Sequence, residues 1–295
     1  MTKPASLRTL LKSDGVIVAP GMYDSLTAHL VAQGGFNCAY LSGASISYSR
    51  LGRSDIGLVS MSEVAQVIGH IRERIDIPFI VDADTGFGNA LNTKRTVKVF
   101  ERAGAAGIQI EDQTMPKRCG HMTGKTLISS SEMVGKIKAA VDARENAETV
   151  IVARTDAIAV EGFDRAMDRA HALLEAGADV LFVEAPMTLE QMKTLGATFA
   201  GKVPLLANMV EGGKTPLKTA AELAAIGFKI VIFPAAMVRV VSFAAIEYLK
   251  VLKADGATVR FADKMFNFDQ LNSLLGLESI LAEGERYAAQ DENPR

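Results

Sequence analysis

The feature that most constrains this chain is a repeated alternation. A short, continuously apolar run is followed by a polar or glycine break and then by a stretch with one apolar helical face. The apolar runs fall at residues 15–20, 37–43, 77–84, 107–112, 149–156, 179–184, 203–209 and 229–234. Helical patterns follow at 24–33, 62–74, 93–103, 130–144, 164–176, 189–200, 217–226 and 237–253, after a short leading helix at 7–12. Strands that are apolar on both faces belong to a parallel sheet covered by helices. Eight such cycles close a TIM-type (β/α)8 barrel. Punctuation agrees: Ala103-Gly104-Ala105-Ala106-Gly107 and Glu175-Ala176-Gly177-Ala178-Asp179 are one helix-stop-then-strand device used twice. An open doubly wound sheet is the alternative, but no G-x-G-x-x-G follows the first strand, so a dinucleotide site is not supported.

The 295 residues suit one barrel domain, residues 1–255, with a helical extension at 256–295. In that extension residues 268–284 form further helix, too apolar at Leu271, Leu274, Leu275 and Leu277 to be left in water. The expectation is a segment swapped onto a neighbouring subunit. A net charge of −2 provides no basic field for nucleic acid. Two cysteines, Cys38 and Cys119, make no disulfide scaffold, which fits a reducing cytoplasm. Neither an apolar leader at the first residues nor an apolar run of about 18 residues occurs, so no membrane role is expected.

Polar residues collect at the carboxyl ends of the runs: Tyr40-Leu41-Ser42-Gly43, Asp82-Ala83-Asp84, Glu111-Asp112, Arg154-Thr155-Asp156, Glu184 and Asn208. In a barrel these ends converge on the catalytic face. Asp82 and Asp84, with Glu111 nearby, make an all-oxygen site suited to Mg²⁺, with Mn²⁺ as an alternative ion. The plainer reading is helix capping by Asp84 and a solvated rim. Arg154 is placed to fork onto a substrate carboxylate, or simply to pair with Asp156 or Glu184. Above Glu111 and Asp112 runs a basic loop, Pro116-Lys117-Arg118-Cys119-Gly120-His121-Met122-Thr123-Gly124-Lys125. Its cations are expected to lower the Cys119 pKa from about 8.5, giving a competent proton donor or thiolate; otherwise the loop is exposed and its cysteine incidental. His121 suits a hydrogen bond to a substrate carboxylate better than a metal. His29, His70 and His171 read as surface or structural, and Cys38 as an inert core thiol.

Tyr40-Leu41-Ser42-Gly43, Val81-Asp82-Ala83-Asp84-Thr85-Gly86-Phe87-Gly88, Ile110-Glu111-Asp112-Gln113, Lys117-Arg118-Cys119-Gly120-His121 and Ala153-Arg154-Thr155-Asp156-Ala157 together resemble the isocitrate lyase / phosphoenolpyruvate mutase superfamily. The match runs in order over residues 19–248, and the cysteine loop resembles its lyase branch. The resemblance implies a homotetramer in which Mg²⁺, held by Asp82 and Asp84, binds a 2-hydroxy diacid. Retro-aldol cleavage would then leave a 2-oxo acid and a second acid whose carbanion is protonated by Cys119 from a closing loop. It further implies Tyr40 as base, a catalytic role for Glu111, and substrate contacts from Ser42, Gly43, Ala44, Asp55, Gly120, His121, Arg154, Glu184, Asn208 and Arg239.

Departures from the family bear on the substrate. The 2-methylisocitrate lyases read Asn-Ile-Thr-Glu-Phe-Gly where this chain reads Asn208-Met209-Val210-Glu211-Gly212-Gly213. They also carry an arginine near the position of residues 266–269, where none stands here, and a third buried carboxylate would lack its counter-ion. Arg239 does match the arginine used after the eighth strand. The expected substrate is therefore a 2-alkylmalate-type dicarboxylate, specifically 2,3-dimethylmalate cleaved to pyruvate and propionate. The alternative is the tricarboxylate 2-methylisocitrate, giving pyruvate and succinate. An oxaloacetate hydrolase or a phosphorylmutase on the same scaffold, and a catalytically silent barrel that binds a metabolite or protein, are the readings from other classes.

Overall fold

The computed structural model describes residues 6–288; the reading of the first five residues lies outside that range. Eight strands are present: β1 (Ile17–Met22), β2 (Ala39–Leu41), β3 (Phe79–Asp82), β4 (Gly107–Glu111), β5 (Val150–Thr155), β6 (Val180–Val183), β7 (Leu206–Asn208) and β8 (Ile230–Phe233). All pairings are parallel, in the order β6-β5-β4-β3-β2-β1-β8-β7. The circle closes between its two ends, where Leu181 bridges Leu205 and the Leu181 N–H donates to the Pro204 carbonyl at 3.0 Å. The expected (β/α)8 barrel is what the chain forms.

Helix starts are set by local capping. Asp24, Ser60, Asn89 and Thr219 each accept from the third residue of the following helix while that residue's side chain returns to the cap. Ser129 and Thr188 cap the helices Ser130–Ala143 and Leu189–Phe199 in the simpler one-way manner. Gly104 and Gly227 end their helices in the left-handed conformation, at φ 109° and 112°, which lets the chain turn at once into the next strand.

Side-chain alternation along the strands explains where the site lies. Ile80, Val152, Phe182 and Leu206 are fully buried inside the barrel with Ile17, Ala19, Ile230 and Ile232. Two residues further along the same strands, on the same face, stand Asp82, Arg154, Glu184 and Asn208. Gln109 and Glu111 share that face in β4. The opposite parity packs Leu41, Val81, Ile108, Ile110, Ile151, Ala153, Leu181 and Val183 against the helices. The barrel interior is therefore apolar at one end and charged at the other.

Three differences from the sequence reading stand out. After β2 the chain forms a short helix, Gly43–Ile46, that runs into a π-helical turn at Ser47–Leu51; no apolar period announces it. The terminal helix expected at 268–284 is two helices, Phe268–Leu275 and Leu277–Glu285, because Gly276 takes φ 80° between them. Finally, the chain divides into two compact units at Arg239 and Val240, inside the helix Ala236–Asp255, rather than after residue 255. Only Val238 of that helix is buried, while Val240, Val241, Phe243, Ile246 and Leu249 are exposed. Among the described residues no helix is long and apolar enough to cross a membrane.

Candidate active site

The polar strand ends build one connected cluster. Arg154, buried at the end of β5, donates to both oxygens of Asp156, from Nε at 2.9 Å and Nη2 at 3.1 Å. Its Nη1 lies 3.3 Å from Glu111 and its Nη2 lies 3.6 Å from Glu184, with its guanidinium over the Phe182 ring. Burial alone disfavours the charge, but Asp156, Glu111 and Glu184 outweigh it and hold the guanidinium firmly protonated. Of the two readings of Arg154, the pairing with Asp156 and Glu184 is present, and Arg154 also lines the cavity. Asn208 donates to Glu184 at 3.2 Å.

On the other side, Asp82 accepts from the Asp84 N–H at 3.2 Å and from Gln109 Nε2 at 3.1 Å. Asp84 sits at φ 46°, a left-handed backbone that turns its carboxylate back toward Asp82. Gly43 packs closely beside them: a Cβ there would lie 3.2 Å from Asp82 Oδ2 and 3.4 Å from Asp84 Oδ1. Lys117 extends a buried ammonium 2.6 Å from both Asp55 and Asp84.

The 114–127 loop lies closed over this cluster. The Cys119 N–H donates to the Asp55 carbonyl, Gln113 exchanges two hydrogen bonds with the Arg118 backbone, and Lys125 binds the Gly120 carbonyl and Asp156. About 50 Å³ remains between Tyr40, Cys119, Arg154 and Ala235, room for one or two waters.

Several expectations change. The loop's cations do not activate Cys119 as expected: burial pushes its pKa up, with Asp55 and Glu184 adding to the rise. Lys117 is engaged by Asp55 and Asp84 and Lys125 by Asp156, while Arg118 donates outward to the Thr123 carbonyl. His121 is neutral-leaning, its pKa lowered by burial. Its Nδ1 accepts from the Lys214 N–H at 3.2 Å, and Nε2 stands 3.3 Å from Glu184 without the alignment of a hydrogen bond. Asp112 does not join the site beneath the loop. As the residue directly after β4 it takes the opposite parity to Glu111 and meets Thr155 and Arg169.

Tyr40 donates its proton to Gln109 at 2.7 Å, and burial, with Asp82 adding to it, pushes its pKa well up. That describes a hydrogen-bond donor rather than a ready base. Arg239 reaches the cavity but pairs with Glu211, at 2.9 Å to its carboxylate and 3.0 Å to its carbonyl. Ser42 caps the 43–46 turn by accepting from the Ser45 N–H, and Ala44 and Asp55 line the cavity. Gly43, Asp84 and Glu111 sit just behind its wall.

Sequence reasoning missed Gln109, which ties Tyr40 to Asp82, and the pairing role of Lys117. A lone amide in an apolar strand, two residues before Glu111 and therefore on its face, was the available signal for the first. Nothing local marks the second, since Asp55 and Asp84 come from separate loops.

The carboxylates fit a divalent cation. Among the described residues Glu111 Oε1 is buried without a hydrogen bond, while Asp84 Oδ1 meets only the Lys117 ammonium and Glu111 Oε2 only the Arg154 guanidinium at 3.3 Å. Burial raises Asp84 to about 7 and Glu111 well above the usual carboxylate range. Among the described residues no group of three or more His, Cys, Asp or Glu side chains forms a direct metal shell. Two carboxylates with the rest of the shell left to water is how Mg²⁺ is commonly held.

A family model for phosphoenolpyruvate phosphomutase matches residues 7–252. The 2,3-dimethylmalate lyase of Eubacterium barkeri is 46% identical over 288 residues, covering 98% of this chain and 99% of that protein. The 2-methylisocitrate lyase of Aeropyrum pernix is 47% identical over 270 residues, covering 92% and 86%. An oxaloacetate acetylhydrolase in complex with 3,3-difluorooxalacetate superimposes with a TM-score of 0.92 at 34% identity, over 98% of each chain. A phosphonopyruvate hydrolase in complex with oxalate and Mg²⁺ does so with a TM-score of 0.86 at 32% identity, over 97% of this chain and 99% of that one.

Proposed function

The chain belongs to the phosphoenolpyruvate mutase / isocitrate lyase superfamily, and from that premise we propose a metal-dependent carbon–carbon lyase that cleaves a 2-hydroxy dicarboxylate. The observation that carries this reading is the closed 114–127 loop, which suspends the Cys119 thiol over a cavity walled by Arg154 and Asp82. A loop that only capped the barrel would need neither a thiol at that point nor a buried arginine beneath it.

In this reading Arg154 and the Gly120–His121 backbone bind the substrate carboxylates, and Asp82 and Asp84, with Glu111 nearby, would hold Mg²⁺. Bound there, the ion acts as a Lewis acid for charge developing on the oxo-acid product. The substrate hydroxyl gives its proton to a carboxylate of the cluster; Glu111 Oε1 has no hydrogen-bond partner, while its Oε2 lies 3.3 Å from Arg154. As the carbon–carbon bond breaks, the departing carbon keeps the electron pair and takes the Cys119 proton. The S–H bond is exchanged for a C–H bond, and the thiolate is reprotonated from solvent once the loop lifts. The raised Cys119 pKa suits this role, because the thiol keeps its proton until a much stronger base, a carbanion, is formed beside it. Closure of the loop keeps that carbanion from bulk water.

The two relatives are equally similar, so identity does not choose between di- and tricarboxylate. The Arg239–Glu211 pair favours a dicarboxylate, because the arginine that would meet a third carboxylate already has a partner. The specific assignment is 2,3-dimethylmalate to pyruvate and propionate, in a cytoplasmic setting. The test is a panel of 2,3-dimethylmalate, 2-methylisocitrate, oxaloacetate and phosphoenolpyruvate with Mg²⁺, read as pyruvate, succinate, oxalate and phosphonate. Pyruvate and propionate formed in equal amounts support the assignment. Succinate as the faster product replaces it with 2-methylisocitrate, and oxalate or phosphonate alone overturns the lyase reading.

A further inference from the structure

Gln109 has no part in the chemistry above, yet it carries a fully buried amide in the middle of β4. Asp82 of β3 and Val152 of β5 stand beside it in register. Interior positions one step away are apolar, at Ile80, Val152 and Phe182. Packing alone would be served by another apolar side chain, with no polar group to satisfy.

Both ends of the amide are engaged. Its Nε2 donates to Asp82 Oδ1 at 3.1 Å, and its Oε1 accepts from the Tyr40 hydroxyl at 2.7 Å. The partners dictate this orientation. A carboxylate oxygen accepts, so the NH2 end of the amide has to face Asp82; the carbonyl end then faces Tyr40, whose hydroxyl has to donate. Burial keeps the Tyr40 proton in place. Tyr40, arriving from β2, thereby stops the amide from turning over.

The two aspartates of the site are held differently. Asp84 is met by the Lys117 ammonium, whereas Asp82 Oδ1 takes the Gln109 amide and the Asp84 N–H, the latter at 3.2 Å. Two donors on one oxygen fix the rotation of the carboxylate and leave Oδ2 on the Gly43 side. There Asp82 Oδ2 and Asp84 Oδ1 lie 3.2 and 3.4 Å from a single point beside Gly43. We propose that Gln109 is a positioning residue of the metal site: braced by Tyr40, its amide holds Asp82 Oδ1 so that Oδ2 is presented together with Asp84 Oδ1 to a divalent cation. The proposal rests on the reading of Asp82 and Asp84 as metal ligands and deepens it. Groups that orient a ligand without touching the ion commonly change metal affinity by about 10–100-fold.

The experiment titrates Mn²⁺ into the full-length protein after chelation and reads free Mn²⁺ by electron paramagnetic resonance. Wild type is compared with Gln109→Met, Tyr40→Phe and the double variant. Methionine keeps the length of the side chain and removes both hydrogen bonds, and should weaken binding by about tenfold or more. Tyr40→Phe leaves the amide free to turn and should weaken binding by a smaller factor. The double variant should bind as Gln109→Met does, because Tyr40 acts through the amide. A purely structural glutamine would lower the melting temperature and leave the titration unmoved, and a folded Gln109→Met protein with wild-type affinity overturns the proposal. If circular dichroism shows that variant unfolded, Tyr40→Phe decides, and unchanged affinity there overturns it equally. A double variant weakened by both factors in full overturns the brace. Failure of the metal reading shows instead in the wild type, as absent Mn²⁺ binding or as binding that Asp82→Ala leaves unchanged, and it takes the proposal with it.

Discussion

Gly120 has no room for a side chain against Arg154: a Cβ there would overlap the guanidinium and come 2.8 Å from Glu184 Cγ. Arg154 cannot withdraw without giving up Asp156, its bidentate partner. The closed loop and Arg154 are therefore fitted to one another through an absent methyl group. Gly120→Ala should fold with an unchanged melting temperature but hold the loop ajar, lowering kcat by about 10²-fold. Wild-type kcat in that variant would show that closure does not need this contact.

Lys117 already stands at the Asp84 carboxylate, so the metal-free barrel keeps a counter-ion there. Chelation should abolish turnover and leave the circular dichroism spectrum unaltered, and Asp84→Ala should reproduce the loss of activity in the presence of Mg²⁺. A fully active Asp84→Ala enzyme would remove Asp84 from the metal site.

Asp156 gives the site an acid limit. Burial alone would raise its pKa, but Arg154 and Lys125 overcome that and bring it down to about 2. A depressed carboxylate adds stability that is fully present above its unfolded pKa of about 3.9 and is lost as pH falls through the folded value. The stability difference between wild type and Asp156→Asn should hold steady from neutral pH to about 4 and shrink toward pH 2. Urea unfolding at a series of pH values measures it, and a difference that stays constant down to pH 2 would contradict the account.

The second compact unit, residues 240–295, exposes Phe243, Ile246, Leu249, Phe268, Leu271, Ile280 and Leu281. So much apolar surface on one element set calls for a partner. A second copy of this chain exchanging the segment, within a homotetramer, is the expected one. Sedimentation at micromolar concentration should show an assembly, and a 31.5 kDa species would count against it.

The barrel was legible because both-face burial repeats eight times, with the same glycine punctuation at residues 103–107 and 175–179, and one misjudged boundary cannot undo that pattern. Asp82, Arg154, Glu184 and Asn208 were legible as a cluster because a polar side chain ends each of their apolar strands, and strand ends of one barrel meet on one face. What the chain order hid were relationships made only in space. The basic loop looked like an activating field for Cys119, but its cations close on Asp55, Asp84 and Asp156, which arrive from three other segments. Asp112 looked like a twin of Glu111 until strand parity turned it outward to Arg169. The 43–51 turn carries no period at all, since its residues are placed by contact rather than by pattern.

The central claim is that Cys119 protonates the departing carbanion, and kcat for pyruvate release from 2,3-dimethylmalate by Cys119→Ser tests it most directly. A serine hydroxyl holds its proton far more tightly than a thiol, so kcat should fall by about 10²-fold or more while pyruvate binding stays near normal. A Cys119→Ser enzyme that turns over at close to the wild-type rate would mean that the loop only covers the site and another group supplies the proton.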